Sequence, residues 1–240
     1  MNLLVACEES QEVCKAFRAR GHEAYSCDII PCSGGHPEWH IQGDVLRIIN
    51  PKEYNIVCGE YGKGVFFQTM DGKLHSIPKK WDLIIAHPPC TYLTLAGNKW
   101  FKSEFKDRFP DRDRQREDAI AFFMQFANAE CDHIAIENPV CIMSSRWRKP
   151  DQYVEPYYFG DPEKKKTGLW LKGLPKLVPT NIVKPVIVRC ASGANEPRWH
   201  METMKLPAAE RSRARSKTFP GIAKAMAEQW GEIAPQKEEA

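Results

Sequence analysis

The 240-residue chain reads as an α/β protein with a mostly parallel sheet and helices on both faces. Three observations predict this. Residues 3–7, 81–86 and 133–137 are short, nearly continuous apolar runs, the pattern of strands buried on both sides. Residues 11–20 and 113–129 carry helical periodicity and lie between such runs. Each run also gives way to polar residues or proline at its carboxyl end, where open α/β sheets bind ligands.

In chain order, residues 3–7 form a first strand and 11–20 an amphipathic helix, with Val13, Cys14 and Phe17 inward and Gly21 ending it. Residues 24–28 are a second strand. Residues 31–43 are rich in Pro, Gly and His and read as loop. Residues 55–77 alternate and carry Gly-Lys-Gly and Asp-Gly turns, which predicts a hairpin insertion at about 52–80. The strand at 81–86 must stop at Pro88 and Pro89, because proline donates no ladder hydrogen bond. Residues 99–112 are charged, contain Pro110 and read as a mobile loop. The helix at 113–129 should turn Ile120, Phe123, Met124 and Ala127 inward. Strands follow at 133–137 and 167–171. Residues 181–207 show no clear periodicity. A helix over 217–230 closes the fold, and 235–240 read as a disordered tail.

No apolar run approaches the ~18 residues of a membrane span. Residues 1–9 turn acidic too early for a secretory signal. Nine cysteines, an odd count without CxxC pairs, suit reduced thiols. A cytoplasmic protein, monomeric or weakly dimeric, is expected. Charge is uneven: residues 141–220 hold 16 Lys/Arg against 7 Asp/Glu, an excess of +9, whereas residues 1–140 carry −4. A basic later third beside an acidic first part points to a polyanion partner.

The strand tips carry the chemistry. Cys90 follows Pro88-Pro89 on a stiff turn, a thiol placed for reaction rather than packing. Glu137 ends a buried strand, an expensive place for a carboxylate unless it is paired or used. On adjacent strands the two would share a cleft. A thiolate with a carboxylic acid suits covalent activation of an electron-poor ring: sulfur adds to carbon and the acid protonates a ring nitrogen. Asp28, at the tip of the second strand, stands where nucleotide-binding folds hold ribose hydroxyls. Asp44 could accept from an exocyclic amine.

Pro88-Pro89-Cys90 and Glu137-Asn138-Pro139 resemble the catalytic motifs of the DNA cytosine-5 methyltransferases, in the manner of small phage-borne members. The segment from Leu4 to Glu8, Asp28, Gly43-Asp44 and the segment from Ser216 to Ala225 fall in that family's order. The resemblance implies the S-adenosylmethionine-dependent methyltransferase (Rossmann-like) fold, with S-adenosylmethionine as cofactor, DNA as partner and no metal. It implies that Cys90 attacks cytosine C6, that Glu137 engages N3 and the exocyclic amine, and that Lys166 replaces the family's paired arginines. Ala6, Cys7, Glu8, Asp28, Ile29, Asp44, Val45, Pro88, Ser216, Lys217 and Thr218 are the implied cofactor residues. Pro89, Asn138, Pro139, Arg211, Arg213 and Arg215 are the implied substrate residues. On this reading residues 1–180 are the catalytic core, 181–215 a reduced target-recognition segment and 216–234 a helix returning to the core.

Besides lacking the paired arginines, the chain departs from the family in two ways. Ala6-Cys7-Glu8-Glu9-Ser10 replaces the glycine-rich cofactor loop. About 35 residues, with Arg198 and Trp199 among them, stand where target-reading members have many more. Two rival readings follow: cytosine-5 methylation of a free nucleotide or of RNA, and a nucleic-acid-binding protein on a decayed scaffold. Cys27, Cys32, His36 and His40 match no trusted zinc spacing; the two histidines instead shape a loop over the cofactor.

Overall fold

The apolar runs become strands wherever both of their faces can be covered. β1 (Asn2–Ala6) leads through α1 (Glu12–Arg18) to β2 (Glu23–Asp28) and β3 (His40–Gln42). A hairpin, β4 (Gly64–Gln68) and β5 (Leu74–Pro78), precedes β6 (Leu83–Ala86). α2 (Arg112–Ala127) leads to β7 (Ile134–Pro139), the single-turn α3 (Met143–Arg146), β8 (Gln152–Val154) and β9 (Thr167–Lys172). A short hairpin, β10 (Ile187–Arg189) and β11 (Asn195–Pro197), is followed by α4 (Arg198–Met204), α5 (Ala208–Ser216) and α6 (Pro220–Trp230). This computed structural model describes residues 1–50, 64–78, 80–190 and 193–233. The expected tail at 235–240 and the start of the expected insertion lie outside the described residues.

Seven strands form one sheet in the order β3-β2-β1-β6-β7-β9-β8. The first five run parallel to one another; β9 lies antiparallel to β7, and β8 antiparallel to β9. The chain winds outward from β1 to β3, then crosses back to place β6 on the other side of β1. That reversal puts a crevice beyond the carboxyl ends of β1 and β6.

Side-chain alternation divides the core in two. Leu4, Ala6, Ile84 and Ile136 share one cluster with Phe123 and Phe126 of α2. Leu3, Val5, Ile85 and Ala135 share the other with Phe17 of α1 and Met226 and Trp230 of α6. Each large side chain fully buried this way contributes roughly 1.5–3 kcal/mol. A mostly parallel sheet covered on both faces is what the sequence predicts. A lone two-stranded hairpin is marginal in water, and β4–β5 is held by aromatic packing. Phe67 meets Tyr25 edge-on at 4.9 Å and stacks on Trp81 at 5.6 Å, while Trp81 Nε1 donates to the Ile48 carbonyl at 2.6 Å.

Four expectations change in detail. Residues 31–43 are not loop throughout, because His40–Gln42 pair with β2 as β3, the edge strand of the sheet. Residues 181–207 are not irregular throughout: they hold β10, β11 and α4. These elements are too short to leave a periodic signature. Ser216 belongs to α5, and the closing helix starts only at Pro220, which suits a first helical position because its missing N–H has no partner to lose there. Residues 99–112, read as a mobile loop, include short 3₁₀ turns tied together by Trp100, Phe105 and Phe109, with Arg112 over Phe101 and Phe109.

Candidate active site

The β1–α1 turn is built without glycine. Cys7 and Gln11 both take left-handed backbone (φ 59° each), a conformation that costs a side-chain-bearing residue roughly 1–2 kcal/mol. Local hydrogen bonds oppose that cost. Glu8 turns back so that its carboxylate accepts from the backbone N–H groups of Val13 (2.6 Å) and Cys14 (3.2 Å). Burial pushes its carboxyl up to about 7, against the charge of His87 and these two hydrogen bonds. Glu8 therefore spends its side chain capping α1. Gln11 reaches the next loop, donating to the His36 carbonyl (2.9 Å) and accepting from the His36 N–H (3.1 Å). Only glycine fits at 34, since a Cβ there would lie 2.5 Å from the Ser10 carbonyl oxygen.

His40 secures the other side of this loop. It is fully buried, with Nδ1 2.9 Å from Ser26 Oγ and Nε2 3.0 Å from the Ile30 carbonyl. His36 stacks on Trp39 at 3.7 Å. Both histidines thus shape the loop after β2. Among the described residues no group of three or more His, Cys, Asp or Glu is arranged to hold a metal ion.

Beyond the tips of β1, β2 and β3 lies a cavity of about 520 Å³, within the usual range for small-molecule sites. Asp28, Ile29, Asp44 and Val45 line it beside Cys7, with Pro89 opposite and Asp118 and Phe122 of α2 closing the wall. Burial raises the carboxyl of Asp28, which accepts from the Ile30 N–H at 3.2 Å. Asp44 accepts from the Leu46 N–H at 3.0 Å. Ile29 is 74% exposed at the rim. Ala6 is buried in β1 and lines neither this cavity nor the next.

A second cavity of about 360 Å³ shares Cys7, Asp28, Pro89 and Thr91 with the first. Cys90 lines it, facing Arg213, Arg215, Ser216 and Thr218 from the α5–α6 segment. Ser216 and Thr218 therefore meet the thiol's cavity rather than the aspartates' cavity, and Lys217 lines neither. Burial raises the Cys90 thiol's pKa, the charge of Glu137 adds to that, and Lys165 opposes it. The resting side chain is a thiol, and a nearby cation favours its ionisation.

Glu137 sits on β7, hydrogen-bonded to His87 Nδ1 through Oε2 at 3.2 Å. Burial by itself would raise its carboxyl. The His87 hydrogen bond, the charges of Lys165 and His87, and Thr167 outweigh burial and hold it below the ordinary carboxylate range. Asn138 is buried and donates to the Pro88 carbonyl at 2.7 Å, so the β7 tip grips the turn that presents Cys90. Pro139 is paired with Thr167 on β9. Asn138 and Pro139, expected at the substrate, tie the β7 tip to the Cys90 turn and to β9, and Asn138 Oδ1 is buried without a hydrogen-bond partner.

The lysine run divides between two neighbourhoods. Lys166 lies over the Tyr153 ring at 4.5 Å. Its neighbour Lys165 is the lysine whose charge acts on both Cys90 and Glu137. Lys165 Nζ donates to the carbonyls of Arg215 (2.9 Å) and Lys217 (3.3 Å), tying the end of α5 to the site. One residue's shift in an extended segment reverses the side a side chain faces, and a run of three lysines gives no hint of which one points inward. Arg198, expected near DNA, is engaged by Glu163. Arg215 donates from Nε to Thr203 Oγ1 at 3.0 Å, and Arg211 lines neither cavity.

His87, Lys165, Thr91 and the α2 wall were missed in the sequence. His87 had a signal: it shares the strand tip with Cys90. The α2 residues had none, because periodicity marks the inner face of a helix and not the part of it that overhangs a crevice. Compared with known proteins, the chain matches no family model and no curated protein sequence. No helix among the described residues is long and apolar enough to cross a membrane.

Proposed function

We propose that the protein methylates cytosine at C5 in DNA, using S-adenosylmethionine and a transient covalent bond from Cys90. One observation carries the reading. Asn138 ties the turn that presents Cys90 to the β7 tip beside Glu137, and Cys90 lines a cavity that shares Cys7 and Asp28 with an aspartate-lined cavity. The cofactor's chemistry fits the second of these walls. Asp28 and Asp44 offer carboxylate acceptors for ribose hydroxyls and an adenine amine, and Phe122 and Val45 offer apolar surface. S-adenosylmethionine, when bound, supplies an electrophilic methyl group.

The chain's own residues would do the rest. Lys165 favours the Cys90 thiolate, which adds to C6 of the ring. Glu137, held ionised, accepts from the exocyclic amine and pairs with a ring protonated at N3. The proton that N3 takes up is the one the Cys90 thiol gives up as its sulfur adds, so none has to wait on the carboxyl. Addition at C6 makes C5 nucleophilic, and after C5 is methylated its proton passes to water. The ring double bond re-forms and expels Cys90 as thiolate, which takes back the N3 proton. In a duplex the base must first leave the stack. Arg213, on the cavity wall, and the other cations of the +9 segment would meet phosphates.

The deciding experiment offers labelled S-adenosylmethionine with duplex DNA, single-stranded DNA, RNA and dCMP in parallel. Label at C5 of cytosine in DNA supports the proposal. Label only in dCMP or RNA, or in none of the four, overturns it.

A further inference from the structure

We propose that His87 is a positioning residue for this site: its ring Nδ1 holds Glu137 Oε2 and so fixes the orientation of the carboxylate. The proposal rests on the reading of Glu137 given above. His87 is the first residue beyond β6 and lies three before Cys90. Its backbone N–H donates to the Ala6 carbonyl at 2.9 Å, so the β1–β6 ladder fixes its Cα. Its side chain is only 7% exposed, yet it lines the Cys90 cavity, whereas Glu137 is 15% exposed and lines neither cavity. The imidazole thus lines the cavity wall with the partly exposed carboxylate bonded at its side.

The bonding is one-sided. Nδ1 lies 3.2 Å from Glu137 Oε2, and Nε2 is buried without a hydrogen-bond partner. Buried polar groups normally find partners because leaving water unpaired is costly. A buried imidazole with one side-chain partner is retained for that partner. The arrangement follows the logic by which an acid and an imidazole fix each other's orientation and proton position. The charged groups around the pair come from three further segments: Glu8 from the β1–α1 turn, Cys90 from its own turn and Lys165 from the segment before β9. None of these makes a hydrogen bond to the ring. If His87 sets the rotamer of Glu137, its loss should disturb the chemical step and spare the aspartate-lined cavity.

The test uses the full chain with ¹³C-labelled glutamate carboxyls, together with steady-state kinetics. In His87→Ala the titration midpoint of Glu137 should move upward toward the ordinary carboxylate range. The kcat should fall about 10–100-fold, the usual scale of effect for a misplaced catalytic group, with the KM for S-adenosylmethionine unchanged. His87→Asn retains an N–H donor without a titrating ring and should recover most of kcat. An unmoved Glu137 midpoint in a folded His87→Ala variant overturns the proposal, as does an asparagine variant no better than alanine. Should the alanine variant fail to fold, His87→Asn carries the titration, with a smaller upward movement expected and none overturning the idea. A moved midpoint in a protein that transfers no methyl group would uphold the pairing and defeat the methyltransferase reading, so the two failures are distinguishable.

Discussion

The two halves of the crevice are built differently. On the β1–β3 side the acidic groups bond to their own neighbourhood: Asp28 to Ile30, Asp44 to Leu46, Glu8 to Val13 and Cys14. On the β6–β9 side the bonds span about 50 residues: His87 to Glu137, Asn138 to Pro88, Lys165 to Arg215. The first half is a set of self-contained turns, each able to form once its strand is in place. The second exists only when three strands and the α5–α6 segment have assembled. Local turns tolerate single changes, while a long-range network loses several contacts at once. Substitutions should therefore act on binding in the first half and on the chemical step in the second.

The largest effect belongs to the second half. Cys90→Ser should abolish methyl transfer with the fold intact by circular dichroism. It should also fail to trap DNA containing 5-fluorocytosine, which the unaltered protein holds covalently because fluorine cannot leave C5 as a proton. Wild-type turnover in this variant would sink the covalent mechanism. Glu137→Gln keeps the shape of the side chain but removes the charge that would pair with the N3-protonated ring, and should cost about 10²–10³ in kcat, the scale for losing one preorganised electrostatic partner. If it instead weakened cofactor binding with little change in rate, Glu137 would belong to the other half.

Next come the aspartates. Asp28→Ala removes a half-buried acceptor, and a hydrogen bond to a charged group is worth about 1.5–3 kcal/mol, roughly 10–100-fold in affinity. Calorimetry should show that loss for S-adenosylmethionine, with DNA affinity preserved. Asp44 is exposed and should give a smaller loss. Unchanged cofactor affinity in both variants would revive a nucleic-acid-binding scaffold without the reaction.

Glu8 offers a comparison in stability. Its carboxyl is raised from 4.5 to about 7 by burial, so the folded chain binds this proton more tightly than the unfolded one. Its contribution is full below about pH 4.5 and falls as pH rises, being lost above about 7. The span corresponds to at most roughly 3 kcal/mol. Glu8→Gln should flatten the fall in urea-unfolding free energy between pH 5 and pH 8. Parallel curves for the two proteins would show that Glu8 does not govern that range.

The same division explains what the sequence disclosed. The tips at Asp28, Asp44, Cys90 and Glu137 were legible because an apolar run followed by an abrupt polar residue or proline is a local pattern. The sheet was legible for the same reason. His87 pairing with Glu137, and Lys165 rather than Lys166 bringing its charge to bear on the thiol, depend on strand order and on the rotation of an extended segment, which a single sequence does not encode locally. Asn138 shows the limit most clearly. Its motif marked it for the substrate, but its amide nitrogen holds the Pro88 carbonyl while its Oδ1 is buried without a hydrogen-bond partner. A residue's type can be read from the chain, but its partner across 50 positions cannot.

The smallest effect separates two arginines that the sequence treats alike. Arg213 and Arg215 both line the Cys90 cavity from α5. Arg215 is committed to α4 through Thr203, with its guanidinium also 3.3 Å from His200 Nδ1. Arg213 is exposed, and its side chain has no such anchor in α4. If this face tracks phosphates, each contact contributes about 0.9 to the slope of log affinity against log salt concentration. Arg213→Ala should lower that slope by about one contact and leave the melting temperature unchanged. Arg215→Ala should instead lower the melting temperature, because the α4–α5 packing loses a hydrogen-bonding partner, and should change the slope less. Duplex-oligonucleotide titrations at four or five salt concentrations, with thermal melts of both variants, would distinguish them. An unchanged slope in Arg213→Ala would mean that the cavity mouth does not meet the backbone, and that the basic excess of residues 141–220 serves the packing of its own helices.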